Sequence, residues 1–352
     1  MKHVIVIGAG LIGAAAAYSL GRSGCRVTMI DAAGAGGLAS RASFGWLNAS
    51  FHLDVPHFHL RHAAMQAHVA LSQEVPGFHD WSGCLWFEET GPQAQSFAEG
   101  LAHLGYPTAR IDASSIRARW PLLTGVDEAV FLPGEGAVET PGLAMALCQR
   151  SGAEVWFGPR VRALIERGGR IIGVETGEGR VQADAVVLCA GVGTPDLIAG
   201  LGLRLPMLPR PGAMVVTRPT ARITDTLLCG PMGEMRQTRE GRILLPTSPG
   251  HQGDTAEALT QTPGDLARAA LDRVRLFFPG LALEVEQILT AARPVPADGL
   301  PVLSNPLPGL IVAVMHSGAT LAPLAGQAVA DLVTNGHCDP VWDRHSLDRF
   351  QK

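Results

Sequence analysis

Short apolar runs and a helical pattern alternate along the first thirty residues of the chain. The β-branched run at 4–7 predicts a buried strand, residues 11–22 predict a helix, and the run at 27–30 predicts a second buried strand. A glycine-rich loop is expected over 34–37, and a second helix over 59–74. This order predicts that the chain begins with an α/β domain.

The middle of the chain contains two cap–proline signals. Thr140-Pro141 predicts a helix to about residue 151 with Thr140 as its N-cap, and Thr262-Pro263 predicts another to about residue 278. Asp112 is expected to cap a helix over 113–119. The other predicted elements are a helix at 93–104, strands near 85–87, 129–132, 155–157, 161–165, 171–176, 181–183, 185–190, 289–294 and 311–314, short extended runs over 206–250, and a final helix over 319–333.

Length and charge narrow the class of protein. A chain of 352 residues suggests about two domains. The net charge of -4 and the pI of about 6.3 disfavour nucleic acid or an anionic membrane as the main partner. The N-terminal apolar run resembles a signal peptide, but it holds glycines at dinucleotide-binding spacing. No segment offers about 20 continuous apolar residues, so no membrane span is expected.

Cysteine and lysine usage adds two expectations. The six cysteines are scattered without a CxxC pair, which favours reduced thiols in a cytoplasmic protein over a disulfide framework or a zinc site. Lysine occurs only at Lys2 and Lys352, so the remaining 26 of the 28 basic residues are arginines. An interior site is therefore expected to contain no lysine.

The strongest motif is the glycine pattern between the first predicted strand and helix. Gly8 permits the tight turn, Gly10 allows the backbone to approach a pyrophosphate, and Gly13 allows close packing of helix and strand. Asp31 ends the second strand, where an acid is expected to accept hydrogen bonds from an adenosine ribose. The alternative is a glycine-rich turn with a surface aspartate. The motif predicts a Rossmann-type fold but does not distinguish NAD from FAD.

Two later segments repeat the strand–glycine pattern. Residues 186–191 form an apolar strand that enters a small-residue turn, which suits a backbone close to a nucleotide or, alternatively, any buried parallel strand. Residues 314–323 predict another strand–glycine–helix turn. Its helix N-terminus is suited to an anionic or electron-accepting ligand. Because the nucleotide signatures are separated by unlike segments, one domain is expected to be assembled from distant parts of the chain.

Five histidines between residues 52 and 68 invite a metal-site interpretation. His57 and His59 are expected to precede a helix, while His62 and His68 lie six residues apart on it, so the set does not converge on one helix face. No metal is therefore expected. His52 and His316 remain candidates for the active site, with a structural role as the alternative for each.

Taken together, these motifs resemble the D-amino-acid oxidase, glycine oxidase and monomeric sarcosine oxidase (DAO) family of FAD enzymes over nearly the whole chain. The features that carry the resemblance are the 8–13 glycine motif with Asp31, residues 39–46, 136–141, the Ala190-Gly191 turn, Arg293-Pro294 with residues 298–301, and residues 316–323.

The resemblance implies a two-domain α/β (α+β) fold. A Rossmann-type FAD-binding domain would comprise 1–76, 136–206 and 292–352, and an antiparallel-sheet substrate-binding domain would comprise 77–135 and 207–291. The implied cofactor-binding residues are Gly8, Gly10, Leu11, Ile12, Gly13, Asp31, Ala32, Ser40, Arg41, Ala42, Ser43, Gly45, Trp46, Val161, Ala190, Gly191, Ser317, Gly318, Ala319, Thr320 and Leu321.

The same resemblance implies the active-site residues. Arg293 would hold the substrate carboxylate, because a planar guanidinium can donate two parallel hydrogen bonds; a salt bridge between domains is the alternative. Trp46, Asn48, His52 and His316 would line the pocket beside it.

Departures from the family pattern refine these expectations. The chain has only Tyr18 and Tyr106, so it does not copy the tyrosine-containing pocket of D-amino-acid oxidases. Residues 39–45 contain no histidine, and Met315-His316 stand where monomeric sarcosine oxidases attach FAD to a cysteine. Non-covalent FAD is therefore expected. The absence of an interior lysine argues against a fast oxygen-using oxidase.

The sequence thus predicts an FAD-dependent enzyme that oxidises the C–N bond of an amino acid or a primary or secondary amine to an imine, which water hydrolyses. Oxygen, a quinone or a carrier protein would accept the electrons. The alternatives are a nicotinamide-dependent dehydrogenase and an accessory flavoprotein without amine turnover. The identity and stereochemistry of the substrate and the oligomeric state stay open.

Overall fold

A computed structural model describes residues 1–34, 36–250, 258–259 and 261–351. Its helices are α1 (Leu11–Arg22), α2 (Leu38–Arg41), α3 (Val55–Glu74), α4 (Gly91–His103), α5 (Ala113–Arg119), α6 (Thr140–Arg150), α7 (Thr194–Ala199), α8 (Pro263–Phe277) and α9 (Gly318–Asn335), with short 3-10 turns at Gly191–Gly193, Pro340–His345 and Leu347–Phe350.

The strands, in chain order, are β1 (His3–Ile7), β2 (Arg26–Asp31), β3 (Trp46–Leu47), β4 (His79–Asp80), β5 (Cys84–Trp86), β6 (Ala109–Asp112), β7 (Glu128–Leu132), β8 (Gly136–Val138), β9 (Glu154–Phe157), β10 (Val161–Arg167), β11 (Arg170–Thr176), β12 (Gly179–Gln182), β13 (Ala185–Leu188), β14 (Met207–Leu208), β15 (Pro211–Thr217), β16 (Leu227–Gly230), β17 (Gly233–Gln237), β18 (Ile243–Pro246), β19 (Val285–Ala292), β20 (Val295–Pro296), β21 (Val302–Leu307) and β22 (Leu310–Val314).

A predominantly parallel sheet forms the first half of the fold. Its strand order is β21-β22-β13-β1-β2-β9, and only the edge pair β21–β22 is antiparallel. Residues 4–7 are all buried, because Val4 and Val6 pack against the helices on one face while Ile5 and Ile7 pack on the other. Burial on both faces explains why this strand reads as a continuous apolar run.

Small residues bring the first and last helices together. A Cβ added at Gly326 of α9 would lie 2.5 Å from the carbonyl oxygen of Ala15 in α1. The alanines at 14–17 are all buried as well, so α1 is packed on several sides. The two helices start at the same edge of the parallel sheet, so their N-termini lie side by side.

A larger mixed sheet forms the second half, in the order β19-β15-β18-β17-β16-β5-β7-β6. Its neighbours pair antiparallel except β5 and β16, which are parallel. Apolar residues of α5 and α8 pack with one face of the sheet, while Phe58 and Met65 of α3 pack with the other. A small sheet, β3-β8-β4, lies where the two halves meet.

Two local predictions need correction. Helix α3 begins at Val55 rather than near residue 59, because the Asp54 carboxylate accepts a hydrogen bond from the amide of His57 (2.9 Å). His57 is therefore inside the helix. Thr140 is not an N-cap: it is the first residue of α6, and its hydroxyl donates to the Ser40 carbonyl (2.6 Å).

Other local predictions are confirmed. The Asp112 carboxylate accepts from the Ser115 amide at 2.8 Å, and the Thr262 hydroxyl accepts from the Asp265 amide at 3.2 Å. The loop predicted over 34–37 is described except for residue 35, which lies outside the described residues. The sequence pattern missed β3, β4, β6, β8, β20 and β21.

The two sheets draw their strands from different parts of the chain. Strands of the parallel sheet lie within residues 3–31, 154–188 and 302–314, whereas those of the mixed sheet lie within 84–132 and 211–292. The domain boundaries themselves stay a prediction. Among the described helices, none combines the length and apolar character that crossing a membrane requires.

Candidate active site

The turn between β1 and α1 is shaped by glycines that no other residue can replace. Gly8 has a φ of 103°, and an added Cβ would lie 2.4 Å from the carbonyl oxygen of Cys189. A Cβ at Gly13 would lie 1.9 Å from the Gly8 carbonyl oxygen. The turn therefore packs backbone against backbone at the carboxyl end of the parallel sheet.

Asp31 and Ser40 complete this turn with hydrogen bonds. The Asp31 carboxylate accepts from the amides of Ala9 (2.7 Å), Ala33 (2.6 Å) and Gly34 (2.9 Å). The Ser40 hydroxyl accepts from the Leu11 amide at 3.0 Å. Since Gly10, the N-cap, has no side chain to cap α1, the next amides of the helix have no acceptor within it. Such an N-terminus is suited to an anion.

The turn between β22 and α9 also leaves a helix N-terminus that is suited to an anion. Ser317, the N-cap of α9, has φ 56° and ψ 29°, and among the described residues it is the only non-glycine with a positive φ. No side chain caps the helix, so the amides of residues 318–320 also have no acceptor within it. A left-handed serine is an unfavourable conformation, and such conformations concentrate at functional sites.

A cavity of about 250 Å³ lies between these two turns. Ile12 of the first turn and Gly318 of the second are in contact distance, since a Cβ at Gly318 would lie 3.5 Å from the Ile12 side chain. The lining residues are Leu11, Ile12, Ala39, Ser40, Ala42–Trp46, Asn48, Arg61, Thr140, Gly212–Met214, Glu234, Pro246, Ser248, Ala291, Arg293, Pro294 and Met315–Ala319.

Most of the predicted active-site residues meet at this cavity. Trp46, Asn48, Arg293 and His316 line it. His52 does not: its Nδ1 lies 3.1 Å from the Ala49 carbonyl oxygen and its ring packs on the ring of Phe58.

Some of the predicted cofactor-binding residues line the cavity, and others lie at the edge of the sheet beside it. Val161, Ala190 and Gly191 do not line the cavity; they lie at the start of β10 and after β13. Among the described residues, the cavity-lining members of the predicted set are Leu11, Ile12, Ser40, Ala42, Ser43, Gly45, Trp46, Ser317, Gly318 and Ala319.

Arg293 enters the cavity from the segment that follows β19. Its amide donates to the Arg210 carbonyl at 2.9 Å, and its Nε approaches the same oxygen at 3.3 Å. Glu234, on β17, also lines the cavity. No local sequence pattern pointed to Glu234, because its position at the cavity depends on the pairing of strands in the mixed sheet.

A buried hydrogen-bond network that the sequence pattern did not reveal holds Trp46. Its indole Nε1 donates to Glu135 Oε2 at 2.8 Å, and the Tyr106 hydroxyl donates to Glu135 Oε1 at 3.0 Å. The Ala49 amide in turn donates to the Tyr106 hydroxyl at 3.2 Å. Burial raises the pKa of Glu135 to about 7, against the lowering effect of its donors, and raises the pKa of Tyr106.

Arg61 is a second arginine at the cavity and was also missed. Its Nε donates to the Asn48 carbonyl at 3.1 Å and its Nη2 donates to the Asn48 side-chain oxygen. Burial lowers its pKa to about 10, although nearby Glu135 opposes the shift. The helical spacing of Phe58, Arg61 and Met65 places all three on the buried face of α3, which is the signal that would have found it.

Thr320 ties the second turn to the strand that carries Trp46. Its hydroxyl donates to the Trp46 carbonyl at 3.1 Å and lies 3.4 Å from the Asn48 amide. On the opposite side, Arg236 pairs with Glu139 at 2.7 Å and donates to the Phe44 carbonyl. The walls of the cavity are therefore fixed by residues from both halves of the fold.

The described residues do not meet the requirements of a metal site. Within the part of the chain that the structure describes, no three His, Cys, Asp or Glu side chains come close enough together to hold a metal ion. The six thiols are unpaired, and burial raises the pKa of Cys189, which lies beneath the first turn, to about 12.

Comparison with known proteins places this geometry among flavoenzymes. The model of the FAD dependent oxidoreductase (DAO) family matches residues 3–332. A glycine oxidase from Pseudomonas aeruginosa is 27% identical over 360 residues, covering 95% of both chains. A D-amino acid dehydrogenase from Cereibacter sphaeroides is 26% identical and covers 94% of this chain and 91% of its own.

Comparison with solved structures agrees with the comparison of sequences. The crystal structure of glycine oxidase from Geobacillus kaustophilus matches with a TM-score of 0.87 and 26% identity over 99% of each chain. An L-proline dehydrogenase from P. horikoshii, 21% identical, matches with a TM-score of 0.86 over 99% of this chain and 98% of its own, which shows the shared fold.

Proposed function

The chain belongs to the DAO family of FAD-dependent oxidoreductases, and from this we propose that it oxidises the C–N bond of a small amino acid whose carboxylate binds Arg293. The relatives support an amino-acid or amine substrate, since they include a glycine oxidase and a D-amino acid dehydrogenase. Family membership favours FAD over the nicotinamide alternative.

The residues present fit FAD. Two helix N-termini whose N-cap residues provide no side-chain cap meet at one cavity, and the glycines of the first turn leave no room for side chains between strand and helix. A dinucleotide has a pyrophosphate for the first N-terminus, and its flavin would accept hydrogen bonds at the second. The first turn, with Asp31, Ser40 and the residues following it, would hold the nucleotide side, and Gly45, Trp46 and residues 317–320 would hold the flavin side.

When bound, FAD supplies a two-electron acceptor for the hydride that leaves the substrate carbon. The protein contributes orientation and charge. Arg293 would hold the carboxylate by two hydrogen bonds, which fixes the angle of the substrate as well as its position. The amides of residues 318–320 would place partial positive charge where negative charge develops on reduction.

The relatives and the lining support a small amino-acid substrate. The proposed flavin contacts and Arg293 line the same cavity of about 250 Å³, so FAD would fill part of it and the substrate would take the space that remains beside Arg293. Glycine, small D-amino, N-methyl and cyclic secondary amino acids are therefore the substrates that we propose. We also propose that FAD is held non-covalently and that reoxidation by oxygen is slow, because the described lining contains no lysine.

Arg293 is the residue on which this proposal depends, and its replacement gives the decisive test. The flavin of purified protein should bleach anaerobically with glycine, sarcosine, D-alanine or proline, and acid precipitation should release it. Arg293→Gln should lower kcat/KM for these substrates at least about 30-fold, because a desolvated carboxylate loses its partner at a cost of about 2 kcal/mol or more.

Arg204→Gln is the matched control, since Arg204 is exposed and remote from the cavity, and it should leave kcat/KM unchanged. Amines without a carboxylate should react poorly with the wild type and be insensitive to Arg293→Gln. Protein that binds FAD but is bleached by none of these compounds would contradict the proposed activity and favour an accessory flavoprotein.

A further inference from the structure

Helix α9 contains a proline in its second turn, close to the cavity. In a regular helix the amide of residue 323 would donate to the carbonyl of Ala319. Pro323 has no amide hydrogen, so the helix itself provides no donor at that position. Ala319 is half-buried and is part of the cavity lining, so its carbonyl has little access to water and an unsatisfied oxygen there would be costly.

A histidine from another helix takes the place of the missing amide. His68, on α3 and 251 residues away in sequence, is fully buried, and its Nε2 lies 2.7 Å from the Ala319 carbonyl oxygen. Because a carbonyl oxygen only accepts hydrogen bonds, Nε2 must carry the hydrogen. The distance is typical of a well-formed hydrogen bond.

A second histidine fixes the tautomer of the first. His68 Nδ1 lies 2.9 Å from Nε2 of His79. Burial lowers the pKa of His68 to about 3 and that of His79 to about 4, so both rings are neutral at neutral pH. Since Nε2 of His68 is the donor, its Nδ1 must accept, and His79 must donate from Nε2. His79 is held in turn by stacking on Trp81 and by Arg239, which donates to its carbonyl at 2.5 Å.

The carbonyl held in this way belongs to the turn that faces the flavin side of the cavity. Ser317 and Gly318 precede it, and Thr320 follows it with its own bond to the Trp46 carbonyl. The turn is therefore held from one side by Thr320 and from the other by the histidine pair.

We propose that His68 is a positioning residue: it supplies the hydrogen bond that Pro323 cannot make, and so fixes residues 317–320 in the geometry that binds the flavin. His79 sets the tautomer in which His68 can donate. The inference rests on the proposed function only in taking this turn as a cofactor contact, and it does not depend on the identity of the substrate.

A double-mutant cycle tests the substitution of one donor for another. His68→Leu removes the side-chain donor and should weaken FAD binding to the FAD-free protein about 10-fold, the effect of about one hydrogen bond. Pro323→Ala restores a backbone donor. In the Pro323→Ala background, His68→Leu should therefore weaken FAD binding by no more than about 3-fold. FAD affinity is measured by the quenching of flavin fluorescence.

Two further variants separate positioning from simple packing. The amide of His68→Gln can donate to Ala319 and accept from His79, so this variant should keep FAD affinity within about 3-fold of wild type and keep the reduction potential of the bound flavin. His59→Leu, on the exposed face of α3, is the control and should change neither quantity.

Equal losses of FAD affinity from His68→Leu in the two backgrounds would overturn the proposal, as would a His68→Gln variant that binds FAD as poorly as His68→Leu. If His68→Leu alone does not fold, recovery of folding by added Pro323→Ala supports the proposal, and failure of that double variant to fold contradicts it. Substrate bleaching of the wild type is scored separately, so failure of the proposed activity is recognised on its own.

Discussion

At the scale of single residues, the two tyrosines of the chain occupy opposite environments. The Tyr106 hydroxyl is buried between the Glu135 carboxylate and the Ala49 amide, whereas the Tyr18 hydroxyl is bonded to Glu74 and Arg22 at the surface. Tyr106→Phe should lower the free energy of unfolding by about 1–3 kcal/mol, because the buried amide of Ala49 loses its acceptor.

Tyr18→Phe is the matched control and should stay within about 0.5 kcal/mol of wild type. Urea unfolding of the two variants measures the difference. Equal effects on the free energy of unfolding would show that the network around Glu135 does not stabilise the fold.

The residues that could be predicted at the site without the family resemblance are those whose role depends on neighbouring residues in the chain. Gly8, Gly13 and Asp31 shape one turn and lie within about one βαβ unit, so their spacing alone identifies them. Glu135 and His68 act through partners that are distant in sequence. A single sequence contains no pattern for such pairings, and both residues were missed for that reason.

At the scale of elements, the β1–α1 turn makes a sharp prediction about two glycines. Gly13→Ala should abolish FAD binding, because the new Cβ would lie 1.9 Å from the Gly8 carbonyl oxygen and would force the helix away from the strand. Flavin absorbance after gel filtration with added FAD gives the result.

Gly100→Ala provides the comparison within a helix. Gly100 lies in α4, and a Cβ there would meet nothing within 4 Å. Its replacement should raise the free energy of unfolding by about 0.5–1 kcal/mol, since alanine is the better helix former, and should leave FAD binding intact. Retention of bound FAD by Gly13→Ala would disprove the packing argument.

The elements show the same limit of prediction as the residues. Helix α1 was predicted with its observed bounds, because its glycines and apolar pattern are local. The start of α3 was missed, since its N-cap, Asp54, lies outside the apolar pattern. The extended runs over 206–250 were not resolved into strands β14–β18. Strand β17 pairs with its chain neighbours β16 and β18, but β14, β15 and β16 each also pair with a strand from outside this segment.

At the scale of the whole molecule, four buried histidines predict sensitivity to acid. Burial lowers the pKa of His57 and His68 to about 3 and of His79 and His345 to about 4. These pKa values are lower in the folded protein than in the unfolded chain, so the stability that the histidines contribute is fully present above pH 6.5. It is lost as the pH falls, because the unfolded chain then binds protons that the folded chain excludes. Between pH 7.5 and pH 5.5 the contribution of each histidine to the free energy of unfolding falls by roughly 1 kcal/mol.

Glu135 acts in the opposite direction. Its pKa is raised in the folded protein, so its contribution is present at low pH and is lost as pH rises through about 7. Between pH 7.5 and pH 5.5 the contribution of Glu135 to the free energy of unfolding increases by about 2 kcal/mol, which is less than the four histidines lose together. FAD-free protein should therefore have a lower Tm at pH 5.5 than at pH 7.5, and His68→Gln should reduce the difference. A higher Tm at pH 5.5 would show that the histidines are not held neutral.

The assembly of the parallel sheet from distant segments has a consequence for how the protein is made. Strand β13 receives its neighbour β22 from residues 310–314, and part of α1 is covered by α9, through the close contact of Ala15 with Gly326. On the ribosome, roughly the first three hundred residues must emerge while this sheet edge and this part of α1 remain open. Because residues 315–319 line the cavity, the complete FAD site can form only after this last turn has been translated, and until then the open sheet edge is exposed to aggregation.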